Sequence, residues 1–449
     1  MTERAERRQL LKRELQRIDG KSPEAPTPLT KHVKMAASPF HVLRGTAQVF
    51  YADLASGQLP LPAPMLEAPL TRIVGDCHLS NFGFFTEDGS YGDRVIWGPN
   101  DYDDAAEGHA AFDLSRFCVS LFLASDYLEG LIEGRYTSAE QFNGTNAPSR
   151  NDAAKAAKAF LKAYRKACEH VIDQPETRDW AVDDFGKSHF LAAPLKRAIS
   201  RAPGGQNFYE KSSVGKLTVA TDTGFRFKKA QGKLAAVEPD MAAELRFVFR
   251  PYLDDTILDV AQRLGAGTGS LNVERYYFLV GPDAGPSEAA FRETHIVEVK
   301  QQRPAAIIEH FPDLSPVNRM DPAHLTIDCQ RRMMRRPDLV LDEVNWKGLH
   351  WLVRSRHHAR VTVDPEELLE AGAPGKALKD YAKACGTALA RTHGRVDRRS
   401  VRFESAMAEA LEDFDKELIE VAREYAQVVR TDHRILKEML GQDGKSNAA

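Results

Sequence analysis

The sequence predicts an α+β protein of two lobes, with helical segments at both ends of the chain and a β-rich zone between them. Three observations carry this prediction. An acidic loop, Gly75-Asp76-Cys77-His78-Leu79-Ser80-Asn81-Phe82, runs into a hairpin and then a strong helix. Near residue 215 the texture changes to short apolar strands separated by Gly- and Asp-rich turns. After residue 366 it returns to long amphipathic helices. The chain has 449 residues, room for two or three domains of roughly 100–200 residues each. We divide it into an N-terminal helix and linker (1–30), a helical lobe with the acidic loop (31–214), a β-rich lobe (215–365) and closing helices (366–449).

Thr2–Ile18 mixes Glu3, Glu6 and Glu14 with Arg and Lys, which suits a surface helix and not a signal or transit peptide. Pro and Ser breakers make Lys21–Lys31 a linker. Phe40, Leu43, Val49 and Phe50 give Phe40–Leu54 helical periodicity. Thr71–Val74 is a short strand entering Gly75. Phe82–Phe85 and Arg94–Trp97 read as a hairpin turned at Glu87–Ser90. Phe112–Tyr127 and Ala153–Ile172 are helices. In the β-rich zone, Leu217–Ala220, Phe225–Phe227, Leu245–Phe249, Tyr276–Val280 and His295–Val299 read as strands, followed by His350–Val353 and His358–Val363. Pro322–Met334 is a helix within that zone. Ala377–Thr392 and Phe403–Met439 close the chain as helices.

Charge and cysteine usage narrow the partners. Lys and Arg number 61 against 64 Asp and Glu, a net charge of −3. That balance gives no reason to expect a nucleic-acid or membrane partner. Five scattered cysteines contain no CxxC pair, so neither a zinc site nor a disulfide framework is expected. A reducing compartment, the cytoplasm, fits them. No apolar run approaches the ~18–20 residues of a membrane helix.

The acidic loop carries the chemistry. Asp76 and Asn81 stand five residues apart, the Asp-to-Asn spacing of a kinase catalytic loop. A carboxylate at Asp76 can orient an attacking hydroxyl, and an amide oxygen at Asn81 can reach a Mg²⁺ beside the phosphates. His78 reads as a bracing residue and not the base. After the hairpin, Asn100-Asp101-Tyr102-Asp103-Asp104 places Asp101 where a second metal ligand belongs. Gly108 and Asp113-Leu114 follow, and Asp113 can cap its helix and brace the loop. An Asp-x-His element also suits a two-metal phosphoesterase, but the Gly-Asn-His element of that class does not occur.

The phosphate-binding parts come later in the chain. Leu264-Gly265-Ala266-Gly267-Thr268-Gly269-Ser270 precedes a strand, and Ile296–Lys300 is an apolar strand ending in Lys. Gly265, Gly267, Gly269 and Ser270 can offer free backbone N–H groups to phosphates, and Lys300 can reach the same oxygens. Asp328 on the following helix is the expected acid partner of Lys300, with Glu309 as alternative. Asp380–His393 resembles the helix that runs directly into the catalytic loop of small-molecule kinases. The order therefore implies a protein-kinase-like two-lobe fold that is circularly permuted, with Mg²⁺ and ATP as cofactors and a small-molecule hydroxyl as acceptor. Arg44 can neutralise an acidic acceptor, or form an ion pair on its helix surface. Nucleotide binding without catalysis, and transfer of AMP, would use the same ligands.

The chain also resembles an uncharacterised bacterial family, domain of unknown function 2252, through roughly residues 30–430. The stretches that carry it include Lys34–Asp53, Gly75–Gly83, Asn100–Asp104, Phe112–Phe117, Cys329–Met333 and Tyr381–His393. Asn-Asp-Tyr-Asp-Asp stands where the family suggests Asn-Asp-Phe-Asp-Glu, with Asp101 intact. The Gly-rich loop keeps a GxGS core, but Leu271-Asn272-Val273 follows where the family suggests a further Gly. The resemblance implies a shared fold and no particular substrate.

Overall fold

Alternating side chains decide how the β-rich zone folds. In the computed structural model, which describes residues 3–139, 141–229, 233–265 and 273–442, three antiparallel strands form a meander. They are β8 (Thr256–Arg263), β9 (Arg275–Gly281) and β10 (His295–Gln301). The chain then forms the helix Pro322–Met333 and returns as the hairpin β11 (Asp342–Trp346) and β12 (Leu349–Ser355). It is β12 that pairs with β10, so the sheet order is β11-β12-β10-β9-β8-β7, with β7 (Leu234–Ala235) at the far edge. Successive side chains of a strand face opposite ways. On β10, Val297 and Val299 enter a core with Phe249 and Trp351. Glu298 and Lys300 face the other way.

The helix Pro239–Phe249 covers that core and corrects one expectation, since Leu245–Phe249 is not a strand. A strand would put Leu245, Phe247 and Phe249 on one face, and all three are apolar. A helix instead pairs Leu245 with Phe249 at i, i+4. Both are fully buried, while Phe247 is 84% exposed. Pro239 sits in the first turn, where its missing N–H costs nothing.

The predicted hairpin forms as β2 (Phe82–Thr86) and β3 (Val95–Pro99). β13 (Arg360–Thr362) pairs with the free edge of β2 and carries the chain from the large sheet back to the helices. β1 (Thr71–Ile73) pairs with β4 (Ala106–Gly108), so the acidic loop and the Asn100–Asp104 run start and end on one ladder. A small hairpin, β5 (Thr218–Thr221) and β6 (Gly224–Phe227), forms its own two-stranded sheet and packs against β8 and β9 through Phe225 and Phe227.

The expected helix Phe40–Leu54 is two helices, Pro39–Gly45 and Ala47–Ser56. They break at Thr46, whose hydroxyl donates to the Val42 carbonyl instead of extending the ladder. The helix Ala110–Ile132 is buried along almost its whole length. Against it pack Arg150–Asp173 and the 38-residue Arg402–Met439, and on Arg150–Asp173 packs Pro374–Gly394. This last pair approaches closely through alanine-rich faces. A Cβ on Gly386 would stand 2.3 Å from the Phe160 carbonyl oxygen, so glycine is required at that crossing.

One hydrophobic core joins Leu15 and Phe40 to Tyr425 and Leu436, uniting the two ends of the chain, while the large sheet holds separate cores. All five cysteines are buried and unpaired. No described helix is long and apolar enough to cross a membrane.

Candidate active site

Gly75 turns the chain out of β1 with φ +82°, a conformation that favours glycine. A Cβ there would stand 1.9 Å from the Asp104 carbonyl oxygen. Glycine thus lets the acidic loop lie directly against the Asn100–Asp104 run. Four side chains hold the loop's backbone. Asp113 accepts from the Val74 and Gly75 amides at 2.7 and 3.0 Å. Ser120 accepts from the Leu79 amide at 3.0 Å. Tyr51 donates to the Gly75 carbonyl and Tyr381 to the Leu79 carbonyl.

Within this frame Asp76 meets the buried Arg116, whose Nε donates to Oδ1 at 2.8 Å. Burial pushes the Asp76 carboxyl up, but Arg116 and then His78 outweigh it and hold the group well below the usual carboxylate range. Asp76 is therefore ionised at neutral pH, a better acceptor than base. His78 Nε2 lies 3.5 Å from Asp76 Oδ2. Burial lowers the His78 pKa, against the pull of Asp76. Asn81 donates from Nδ2 to the Asp76 carbonyl at 2.8 Å, which closes the loop.

The Asn100–Asp104 run faces the loop. The Asp101 carboxylate accepts from the Asp103 amide at 3.3 Å. Asp103 forms an ion pair with Lys300 and lies 3.5 Å from Arg354. Burial and the Asp103 charge push Asp101 up. Burial also acts on Asp103, but Lys300 and Arg354 prevail and hold it well below the usual range. Burial and the neighbouring Asp76 charge raise Asp104 to about 6, although the Ala306 amide donates to it at 2.9 Å.

These groups share a cavity of about 170 Å³, lined by Asp76, Asn81, Asp101, Asp103 and Asp104 together with Lys300. Four residues expected from sequence to act together (Asp76, Asn81, Asp101 and Lys300) thus meet at one place. Arg44 also lines it. Its Nε is buried with no partner among the described residues, and its guanidinium lies over the Phe40 ring at 5.7 Å. It forms no ion pair with a described residue.

Other expectations differ. Asp328 does not pair with Lys300. It lies 2.7 Å from Arg72 Nη2 and 2.8 Å from Arg332 Nε. The reason is local: the helix Pro322–Met333 packs against β1, where the buried Arg72 needs carboxylates and takes Asp328 and Glu107. Glu309 lies toward Arg17 at 3.5 Å. Gly265 ends the β8 segment at φ +59°. Gly267, Gly269 and Ser270 lie outside the described residues. Sequence reasoning missed Arg116, although an arginine inside the continuous apolar face Phe112–Tyr127 signals a buried partner. It also passed over Asp103 and Asp104, which the Asn-Asp-Tyr-Asp-Asp run contained.

Residues 26–439 match the model of a family described as an uncharacterized protein conserved in bacteria (DUF2252). The chain belongs to that family. No curated protein and no solved structure matches it. The match begins after the helix Glu3–Asp19, so this DUF2252 member carries a helix ahead of the matched region.

The matched region includes the helix Pro374–Gly394, whose end abuts β1. The His393 carbonyl accepts from the Thr71 hydroxyl at 2.8 Å. His393 Nε2 lies 3.0 Å from Asp113 Oδ2, and its Nδ1 lies 2.8 Å from the Tyr164 hydroxyl. A buried Tyr164–His393–Asp113 chain thus supports the acidic loop of this DUF2252 chain from beneath.

Proposed function

We propose that this protein is an ATP- and Mg²⁺-dependent phosphotransferase acting on the hydroxyl of a small molecule, with a permuted protein-kinase-like fold. One observation carries the reading: Asp76, Asp101 and Lys300 line a single cavity although Lys300 is about 200 residues from the others in sequence. Phosphoryl transfer needs this convergence, since its catalysis is positioning and charge stabilisation. Topology adds support. Lys300 sits on the third strand of an antiparallel meander and a helix follows, the order in which kinases place their phosphate-binding Lys. The end of Pro374–Gly394 beside Thr71 is the seam that a permutation requires. The five unpaired cysteines favour a cytoplasmic setting.

Asp76, ionised and fixed by Arg116, would orient the acceptor hydroxyl. Asn81 and Asp101 would hold Mg²⁺, which bridges phosphate oxygens and neutralises their charge. The described residues contain no cluster of three His, Cys, Asp or Glu side chains ready to hold a metal. Mg²⁺ needs none when one or two protein ligands are completed by substrate phosphates and water. Asp101 suits the role, because a carboxylate pushed up by burial and Asp103 gains most from an arriving cation. Lys300 and the Gly265–Ser270 backbone would bind phosphates.

The test pairs two variants. Asp101→Asn should weaken Mg-ATP binding by tenfold or more while leaving the fold intact, by calorimetry and circular dichroism. Asp76→Asn keeps an acceptor for Arg116. It should hold ATP affinity within about threefold and lower turnover by about 10²–10⁴, read by mass analysis of a metabolite pool incubated with ATP. If wild type binds Mg-ATP and modifies nothing in that pool, the protein is a nucleotide-binding regulator. If Asp101→Asn binds as wild type does, Asp101 is no metal ligand.

A further inference from the structure

A second cavity, of about 480 Å³, opens between the segment Lys211–Leu217, the β7–β8 edge of the large sheet, and β13. Among the described residues, seven Lys and Arg line it and no Asp or Glu does. The whole chain carries a charge of −3, so this lining departs from its average composition.

The cations divide into a rim and a floor. Lys211, Lys216 and Lys233 stand exposed at the rim. None of the three forms an ion pair with a described residue. Burial lowers the Lys216 pKa, and the positive charges of Arg201, Lys233 and Lys211 lower it further. The rim lysines thus repel one another with no acid between them. At the floor, Arg356 Nη1 lies 2.8 Å from the Tyr277 hydroxyl and 3.4 Å from Glu298, but its Nε is buried with no partner among the described residues. Arg360 donates to the Asn100 carbonyl at 3.0 Å and also lacks an ion pair among the described residues.

Holding so many like charges around one void costs folding free energy, which a multiply charged anion would offset. Guanidinium forks at the floor suit tetrahedral oxyanions, and flexible lysines at the rim suit a chain or ring of them. Among the described lining residues, Leu217, Leu234 and Tyr277 supply the apolar surface, little for a base or an acyl chain. A second groove, between Arg150–Asp173 and Pro374–Gly394, is also basic, with Lys162 and Lys383 exposed in it. Its single arginine among the described residues, Arg391, is turned to the Trp180 and Ala181 carbonyls.

We infer that the cavity between Lys211–Leu217 and β13 binds a compact polyphosphorylated anion, engaged through Arg356 and Arg360 at its floor and Lys211, Lys216 and Lys233 at its rim. The inference needs only the cation lining and stands whether or not the protein transfers phosphate. Arg360 also reaches the Asn100 carbonyl, next to Asp101, so the anion would lie one residue from the carboxylate cavity. The shared chemistry has three sources: the phosphates of a nucleoside triphosphate, an inorganic polyphosphate, or a phosphorylated cyclitol.

The experiment titrates the full chain with sodium tripolyphosphate, ATP, adenosine and inositol hexakisphosphate by calorimetry at low salt. Tripolyphosphate should bind saturably, and adenosine should not. Lys216→Glu with Lys233→Glu should weaken tripolyphosphate about tenfold or more. Lys162→Glu with Lys383→Glu, an equal charge change in the other groove, should leave binding within about twofold. If the first pair lowers the melting temperature, Lys211→Gln replaces it, with a loss of a few-fold expected. ATP binding far tighter than tripolyphosphate, and weakened by Lys216→Glu with Lys233→Glu, identifies the nucleotide as source, and inositol hexakisphosphate binding tightest identifies the cyclitol. Three results overturn the inference: no saturation at millimolar tripolyphosphate, equal losses in the two charge-reversed pairs, or adenosine binding as tightly as ATP.

Discussion

Asp104 shows how one side chain can be held in an unfavourable state for use. Its pKa is raised from 3.8 to about 6 by burial and by the Asp76 charge. The folded chain therefore keeps this proton more firmly than the unfolded chain does. Stability from this group falls as pH rises between about 4 and 6 and stays low above. Asp104→Asn removes the charge and keeps an acceptor for the Ala306 amide. The variant should be more stable than wild type by about 1–3 kcal/mol at pH 7.5 and no more stable at pH 4, by urea unfolding. An equal gain at the two pH values would mean that the carboxyl is not raised. Asp76 has the opposite sign: its depressed pKa contributes stability above the ordinary carboxylate range that is lost as the group is protonated.

Among the elements, the acidic loop depends most on a single helix start. Asp113, in the first turn of Ala110–Ile132, accepts from Val74, Gly75 and His393 at once. An amide at this position would turn its NH₂ toward a donor and leave buried groups unpaired. Asp113→Asn should cost about 2–4 kcal/mol in urea unfolding and loosen the loop. Unchanged amide protection at Val74 and Gly75 in hydrogen exchange would refute the brace. Sequence made this element legible because Gly75, Asp76, Asn81 and Asp113 act within one local stretch. The hairpin β2–β3 and the long helices were legible from periodicity for the same reason. β8 and β11 were not read. β8 carries Asp259 and an irregular register between Ile257 and Asp259. β11 lies at the sheet edge with only Val344 and Trp346 buried. The partner of Lys300 escaped because it depends on how two lobes meet. No local rule prefers Asp103 over Asp328, and the buried Arg72 had already claimed the latter.

At the scale of the whole molecule, the first and last helices lock together around a buried charge. Arg7 donates to Asp53 at 2.5 and 2.8 Å and to Asp432 at 2.5 and 2.6 Å. Tyr425 donates to Asp53 at 2.6 Å. Arg7→Leu leaves two carboxylates close together in the core, and should cost about 3–5 kcal/mol at neutral pH by urea unfolding. Burial and the Asp53 charge favour protonated Asp432, so the loss should shrink in acid, where a neutral carboxyl tolerates the core. A loss that does not vary with pH would place the damage in packing and not in charge.

The seam between Thr71 and His393 also sets a timetable for synthesis. The two residues are 322 positions apart. At roughly 5–20 residues per second, a ribosome needs roughly 15–60 s to travel from one to the other. For that interval the nascent acidic loop has no His393 or Tyr381 to rest on, while the intervening sheet has emerged and can pair its own strands. The helix Pro374–Gly394, which emerges only after that interval, therefore completes the support of the acidic loop.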